Sequence, residues 1–340
     1  MVNVGIAGLG FMGMTHYNAY QRVPGARVVA ICETDPVRRG GDWTSIKGNF
    51  GPQGEMVDLS GIATYATIDE LAADPNVDMV DICLPPNLHA STSLAASRAG
   101  KHVLCEKAIA LHVADAEAMI NAANEAGKLL MIAHVLPFVP EYHFAYQKIV
   151  RGEYGTLLGG NFIRLISDPP WLKDFYDPNG CGGPMIDLHI HDAHFIRLIC
   201  GMPRAVRSVG RMRGKVAEYF NSQFLFEDKD LVVTATSGVI YQQGRPFTHG
   251  YEIHLEKATL LFESFTETRL TVLDSDGEVI HPELGSGDML EAFPLELAEA
   301  ARCVEENTPS KLLDGTLARD ALILGNRQTE SIVKRETVVV

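Results

Sequence analysis

Along roughly the first 130 positions, apolar residues fall into short β-branched runs, each followed by a segment of helical spacing. That alternation predicts a parallel sheet covered by helices on both faces. The runs lie at 2–7, 27–32, a weak one at 63–65, then 77–84, 102–105 and 129–133. Thr67-Ile-Asp-Glu70 has capping-box spacing, in which a hydroxyl and a carboxylate satisfy the free donors at a helix start. Gly100 and Gly127 sit where two helices should close. Positions 40–61, rich in glycine and proline, read as a loop around a short helix at best.

Beyond about residue 135 the rhythm changes. A helix over 141–151 leads to a strand, a Pro/Gly-rich loop over 168–183 and a helix over 184–200. Strand-like segments follow at 205–212, 219–226, 231–236, 248–255, 259–263 and 269–273, with turns such as Asp276-Gly277. Strands in series with little helix between them predict a mostly antiparallel sheet. Helices near 294–307 and over 315–334 come last. The expected fold is therefore an α/β Rossmann domain, a doubly wound parallel sheet over 1–125, plus a second α+β domain over 126–340. The final helix is available to pack back on the first domain. A chain of 340 residues suits two domains.

Composition narrows the function classes. With 46% hydrophobic and 21% charged residues the chain reads as globular, and no apolar run reaches the ~18 residues of a membrane span. Its opening residues read directly as a buried strand, without the signature of a leader. Six scattered cysteines without a CxxC pair point to buried free thiols in a reducing cytoplasm. A net charge of −14 argues against nucleic acid and anionic membrane as partners.

Chemistry first shows at Gly8-Leu-Gly10-Phe11-Met12-Gly13, which ends the first strand and opens a helix. In that context Gly8 permits a tight turn, Gly10 lets backbone approach a pyrophosphate, and Gly13 allows close helix packing. Glu33, 20 residues beyond Gly13, ends the second strand, where a carboxylate accepts hydrogen bonds from ribose hydroxyls and repels a 2′-phosphate. NAD is expected over NADP, with Arg38 and Arg39 read as solvated surface.

Two further strand ends carry Leu84-Pro85-Pro86-Asn87-Leu88-His89 and Glu106-Lys107-Ala108, and residues 182–192 read Gly-Gly-x-x-x-Asp187-x-x-x-His191-Asp192. In this order the motifs resemble the glucose-fructose oxidoreductase and inositol dehydrogenase family (Gfo/Idh/MocA), over nearly the whole chain. The resemblance implies an open-faced sheet in the second domain, assembly into homodimers or homotetramers, and a sugar, inositol or related polyol as substrate. It implies cofactor contacts at Gly8, Gly10, Phe11, Met12, Gly13, Glu33, Leu84, Pro85, Asn87, His89, Glu106 and Lys107. Two positions depart from the family pattern: Pro86 stands where asparagine is usual, and Ala108 replaces the proline after the lysine.

Asp187 and His191, four apart behind Pro184, should share one helical face, where a carboxylate orients an imidazole as a proton acceptor. His191 is the expected base and Lys107 the group that stabilises the developing oxyanion, although a lysine of depressed pKa could also serve as base. The catalytic set is Lys107, Asp187 and His191. Substrate contacts are expected from His134, Asp168, Trp171, Asp187 and His191, with Phe138, Glu141 and Lys173 nearby. A metal among His189, His191, His194, Asp187 and Asp192 is set aside, because His189 points about 200° from His191 on an ideal helix. His249 and His254 read as sheet-face residues. Two other readings stay open: a glycosidase or lyase acting through transient oxidation by NAD, and a non-catalytic NAD-binding regulator.

Overall fold

The computed structural model describes residues 1–48, 50–169, 172, 174–266, 269–285 and 288–340. The chain opens with β1 (Val2–Ala7), α1 (Phe11–Tyr20), β2 (Ala26–Cys32), α2 (Pro36–Arg39), β3 (Ala63–Tyr65) and α3 (Ile68–Ala73). Next come β4 (Met79–Ile82), α4 (Pro86–Arg98), β5 (His102–Glu106), α5 (Val113–Glu125), β6 (Leu130–Ala133), α6 (Pro140–Val150) and β7 (Leu157–Ser167). Helix α7 (Ile190–Cys200) precedes β8 (Ala205–Arg213), β9 (Val216–Leu225), β10 (Val232–Ile240), β11 (Thr248–Leu255), β12 (Ala258–Glu263), β13 (Leu270–Asp274) and β14 (Val279–Ile280). Last are α8 (Ala292–Glu306), α9 (Gly315–Lys334) and β15 (Val338–Val339).

Two compact units result: Met1–Phe138 with Asp288–Arg319, and Val139–Gly287 with Asp320–Val340. The first extends past the expected boundary at 125 because β6 pairs with β5, and it takes in α8 as well. Its six strands run parallel in the order β3-β2-β1-β4-β5-β6. Strands covered on both faces are largely apolar, as Val4, Ile6, Ile31, Met79, Val80, Ile82, Val103 and Leu104 show, all fully buried. The order reverses between β1 and β4, the crevice where open α/β sheets bind ligands. Thr67 and Glu70 form the expected capping box on α3, and the run expected at 77–84 is the shorter β4.

The second unit holds a nine-stranded sheet ordered β14-β13-β12-β11-β7-β10-β9-β8-β15. Its pairs are antiparallel except β7 with β10. Register puts Phe162, Ala235, Ser222 and Ser208 on one buried face, and Asn161, Thr234, Thr236, Asn221 and Val209 on the other, where Val209 is 59% exposed. The helix expected over 184–200 is instead a π-helical turn at Pro184–Leu188 followed by α7, with the His189 N–H reaching the Pro184 carbonyl at 2.8 Å. That turn is wider than the α-helical one expected at the start of the segment. The six cysteines are free, with Cys181 and Cys200 only half-buried. Among the described residues no helix is long and apolar enough to cross a membrane.

Candidate active site

In the first unit the glycine turn joins β1 to α1. Gly8 has φ +96°, and a Cβ there would lie 2.7 Å from Leu84 Cδ2 and 2.9 Å from the Cys83 carbonyl, so only glycine fits. A Cβ on Gly13 would stand 1.9 Å from the Gly8 carbonyl, which is how closely α1 packs on the turn. Around Gly10 there is open space, and α1 begins there without a side-chain cap. Its first backbone N–H groups and the positive end of its dipole are thus left for an anion.

Glu33 ends β2 buried, with Oε2 accepting from the Leu9 N–H at 2.8 Å and Oε1 from the Asp35 N–H at 2.9 Å. Arg39 donates to the Glu33 and Thr34 carbonyls, and Arg38 lies 3.8 Å from Asp35, so both are engaged beside the turn. Phe11 and Met12 are half-buried, and Phe11 packs edge-on against Phe50 at 4.7 Å. An open, uncapped cradle with a fixed carboxylate beside it fits the diphosphate and ribose of a dinucleotide.

At the ends of β4 and β5, Leu84 packs beneath Gly8, while Pro85 and Asn87 are exposed. His89, expected at the cofactor, is fully buried: Nε2 is 2.7 Å from the Leu84 carbonyl and Nδ1 2.8 Å from the Ala108 carbonyl. Both partners are acceptors and burial lowers the pKa of the ring, so its single N–H donates to one of the two carbonyls and the ring packs between the loops that follow the two strands. Glu106 is buried and Lys107 half-buried, with the Lys107 N–H donating to Glu106 Oε2 at 3.1 Å. The Lys107–Ala108 peptide is cis. His134 and Phe138 are buried just past β6.

In the second unit Asp187 and His191 are half-buried on either side of buried His189. Gln328 Nε2 donates to His189 Nε2 at 3.0 Å, which places the ring proton on Nδ1, 3.8 Å from Asp192. Asp192 in turn accepts two bonds from the Arg164 guanidinium, Nε to Oδ2 at 2.8 Å and Nη2 to Oδ1 at 2.9 Å. That fork ties α7, which carries His191, to β7. Asp168, expected at the substrate, has both oxygens occupied, by the Tyr176 hydroxyl and by Arg213, each at 2.8 Å. It anchors the 168–183 loop to β8. Trp171 and Lys173 lie outside the described residues. Glu141 is buried against Arg269 at 2.8 Å, and its pKa is raised, chiefly by burial. His249 is buried beside Tyr142, and His254 is half-buried on its strand.

Burial lowers the pKa of His189 to about 4 and of His249 to about 3. Histidines kept neutral in the fold but free to protonate once unfolded make the unfolded chain bind more protons below pH ~6.5. Stability is expected to fall as pH drops from about 6.5 towards 4, by a few kcal/mol in order of magnitude. Urea midpoints measured across this window check it; a midpoint that stays level contradicts the buried neutral rings.

Sequence reasoning missed two groups in these surroundings, His16 on α1 and Arg164 on β7. Nothing local marks Arg164, whereas His16 carried one faint signal, a titratable residue three positions after Gly13 on a helix face that must be buried.

Comparison with known proteins agrees with this geometry. The profile of the GFO/IDH/MocA oxidoreductase family, NAD-binding Rossmann fold, matches residues 2–134, and that of the family's C-terminal domain matches residues 142–261. A 1,5-anhydro-D-fructose reductase of Ensifer adhaerens is 29% identical over 70% of this chain and 74% of its own. A myo-inositol 2-dehydrogenase of Thermotoga maritima is 24% identical over 99% and 98%. Among solved structures, a levoglucosan dehydrogenase in complex with NADH and L-sorbose superimposes with a TM-score of 0.84 at 21% identity, covering 100% of this chain and 98% of that one.

Proposed function

Because the chain belongs to the GFO/IDH/MocA oxidoreductase family, whose Rossmann fold binds NAD, we propose that it oxidises a secondary alcohol of a sugar, inositol or related polyol. The observation that carries this reading is the uncapped α1 cradle with Glu33 pinned beside it and Lys107 at the end of β5, the carboxyl edge of the same sheet. Relatives named for 1,5-anhydro-D-fructose and myo-inositol support the substrate class. NAD, when bound, supplies the carbon that accepts the hydride.

The chain's own groups do the rest. The α1 N-terminus holds the diphosphate and Glu33 the adenosine ribose. The Lys107 ammonium stabilises the alcohol oxygen as it gains negative charge, and His191 takes the hydroxyl proton on a ring nitrogen while Asp187 orients it. The exposed face of the nine-stranded sheet suits self-association into a homodimer or homotetramer. A cytoplasmic setting accords with six unpaired thiols.

Screening cyclic and linear polyols for nicotinamide reduction, and their ketones in reverse, tests the activity. NADH is expected from at least one cyclic polyol, with NAD preferred to NADP. Glu33→Ala should narrow that preference by about tenfold or more, the value of a hydrogen bond to a charged group. No net turnover in either direction, with bound NAD recycled, would favour the transient-oxidation chemistry instead. Unchanged discrimination would move the ribose contact elsewhere.

A further inference from the structure

Beneath the glycine turn the first unit buries a set of ionisable groups that the proposed reaction does not use. His16 on α1 is fully buried. Its Nδ1 lies 2.9 Å from Asp81 Oδ2, and its Nε2 lies 3.1 Å from Glu106 Oε1 as an ion pair off the ideal hydrogen-bond line. Asp81 is 0% exposed and Glu106 6%. Glu106 spends its other oxygen on the Lys107 N–H. One ring therefore spans two carboxylates, and the second carboxylate holds the backbone of the lysine.

We propose that His16 sits as an imidazolium between Asp81 and Glu106 and thereby acts as the positioning residue for Lys107. A neutral ring would turn a nitrogen lone pair towards one of the carboxylates, whereas an imidazolium presents an N–H to each. The group's surroundings agree on every side. On β4 and just past it are Asp81 and Cys83, whose thiol is 3.4 Å from Nδ1; on β5 is Glu106; on α1 is Tyr20; on α8 is Glu296. Burial works against the charged form of His16, and the charge and hydrogen bond of Asp81 work for it. Glu296, fully buried and with neither oxygen hydrogen-bonded, has its pKa pushed well up, chiefly by burial. Cys83 and Tyr20 are likewise raised by burial and stay neutral. His16, Asp81 and Cys83 lie within 4.8 Å of one another, and the 2.9 Å contact between His16 and Asp81 has hydrogen-bond length.

The consequence concerns how Lys107 is held. Ala108 gives the following position none of the torsional restriction of a proline. The segment is held instead from both sides, by Glu106 on the Lys107 N–H and by His89 on the Ala108 carbonyl. Without His16, Glu106 would lose its cation and its fixed orientation, and the lysine would lose the first of these holds.

The inference rests on the catalytic reading of Lys107, and its test separates the two. Nitrogen-15 NMR of wild-type protein without cofactor, at about pH 7.5 and with His16→Gln as the assignment control, should show both ring nitrogens protonated; a neutral ring there overturns the proposal. In kinetics, His16→Asn and Glu106→Gln should each lower kcat by about 10–100-fold, the scale of a misplaced catalytic group, with NAD affinity in His16→Asn within about threefold. The loss in His16→Asn/Glu106→Gln should be smaller than the product of the single losses, because the second change removes the carboxylate that the first strands. A purely structural His16 would lower Tm and leave the folded fraction turning over at the wild-type rate, which overturns the proposal. If His16→Asn does not fold, a wild-type kcat in Glu106→Gln overturns it equally. Should Lys107→Ala prove active while His16 shows two N–H signals, the catalytic reading fails and the buried imidazolium stands.

Discussion

Lys107→Ala is expected to lower kcat by about 10³-fold while changing NAD affinity by less than about threefold. The reasoning starts from charge: as hydride leaves a carbinol carbon its oxygen becomes an alkoxide, and one fixed donor to such an oxyanion is worth about 10²–10³ in rate. Lys107 is only half-buried at the carboxyl end of β5, where a ligand can reach it, and Glu106 fixes its backbone N–H. Lys107→Arg should recover little, since a planar guanidinium cannot replace a compact ammonium at one oxygen. Steady-state kinetics on the substrate found by screening, with NAD binding measured separately, decide the matter. If Lys107→Ala kept most of the wild-type kcat, the oxyanion role would belong to another group.

The second large effect is on stability. Arg164 and Asp192 are 3% and 1% exposed and joined by two hydrogen bonds. Burial works against the charge on Arg164, and Asp192 more than offsets it, so its pKa is raised. Asp192→Ala strands that guanidinium, and losing one partner of a buried pair costs about 3–5 kcal/mol. Arg164→Met/Asp192→Leu leaves no unpaired charge and should recover most of the loss. Because α7 carries His191, Asp192→Ala should also depress kcat in whatever fraction stays folded. Denaturant midpoints of the two variants provide the check. A single variant within about 1 kcal/mol of wild type would show that water reaches the pair.

The parts of the site that were legible in the sequence are those made by neighbours along the chain. Gly8, Gly10 and Gly13 act through the backbone of a single turn, and Glu33 follows from the length of one helix and one strand. What the sequence did not show is which protein partners its polar residues meet: the Ala108 carbonyl for His89, Arg213 for Asp168. The helix over 184–200 has helical apolar spacing throughout, but Pro184 and Gly183, at φ +73°, start it with one wide turn that composition does not announce.

Sequence alone determined the Rossmann architecture, the dinucleotide turn, the change to a mostly antiparallel sheet and the family motifs, because each is written in local periodicity or in a few residues of fixed spacing. Only the tertiary structure decided which buried charges meet. His16 reaches Asp81 across 65 positions, Arg164 reaches Asp192 across 28, and α8 returns to place Glu296 near both carboxylates. Strand order and register set those encounters, and they carry free energy only because burial removes the water that would otherwise screen them.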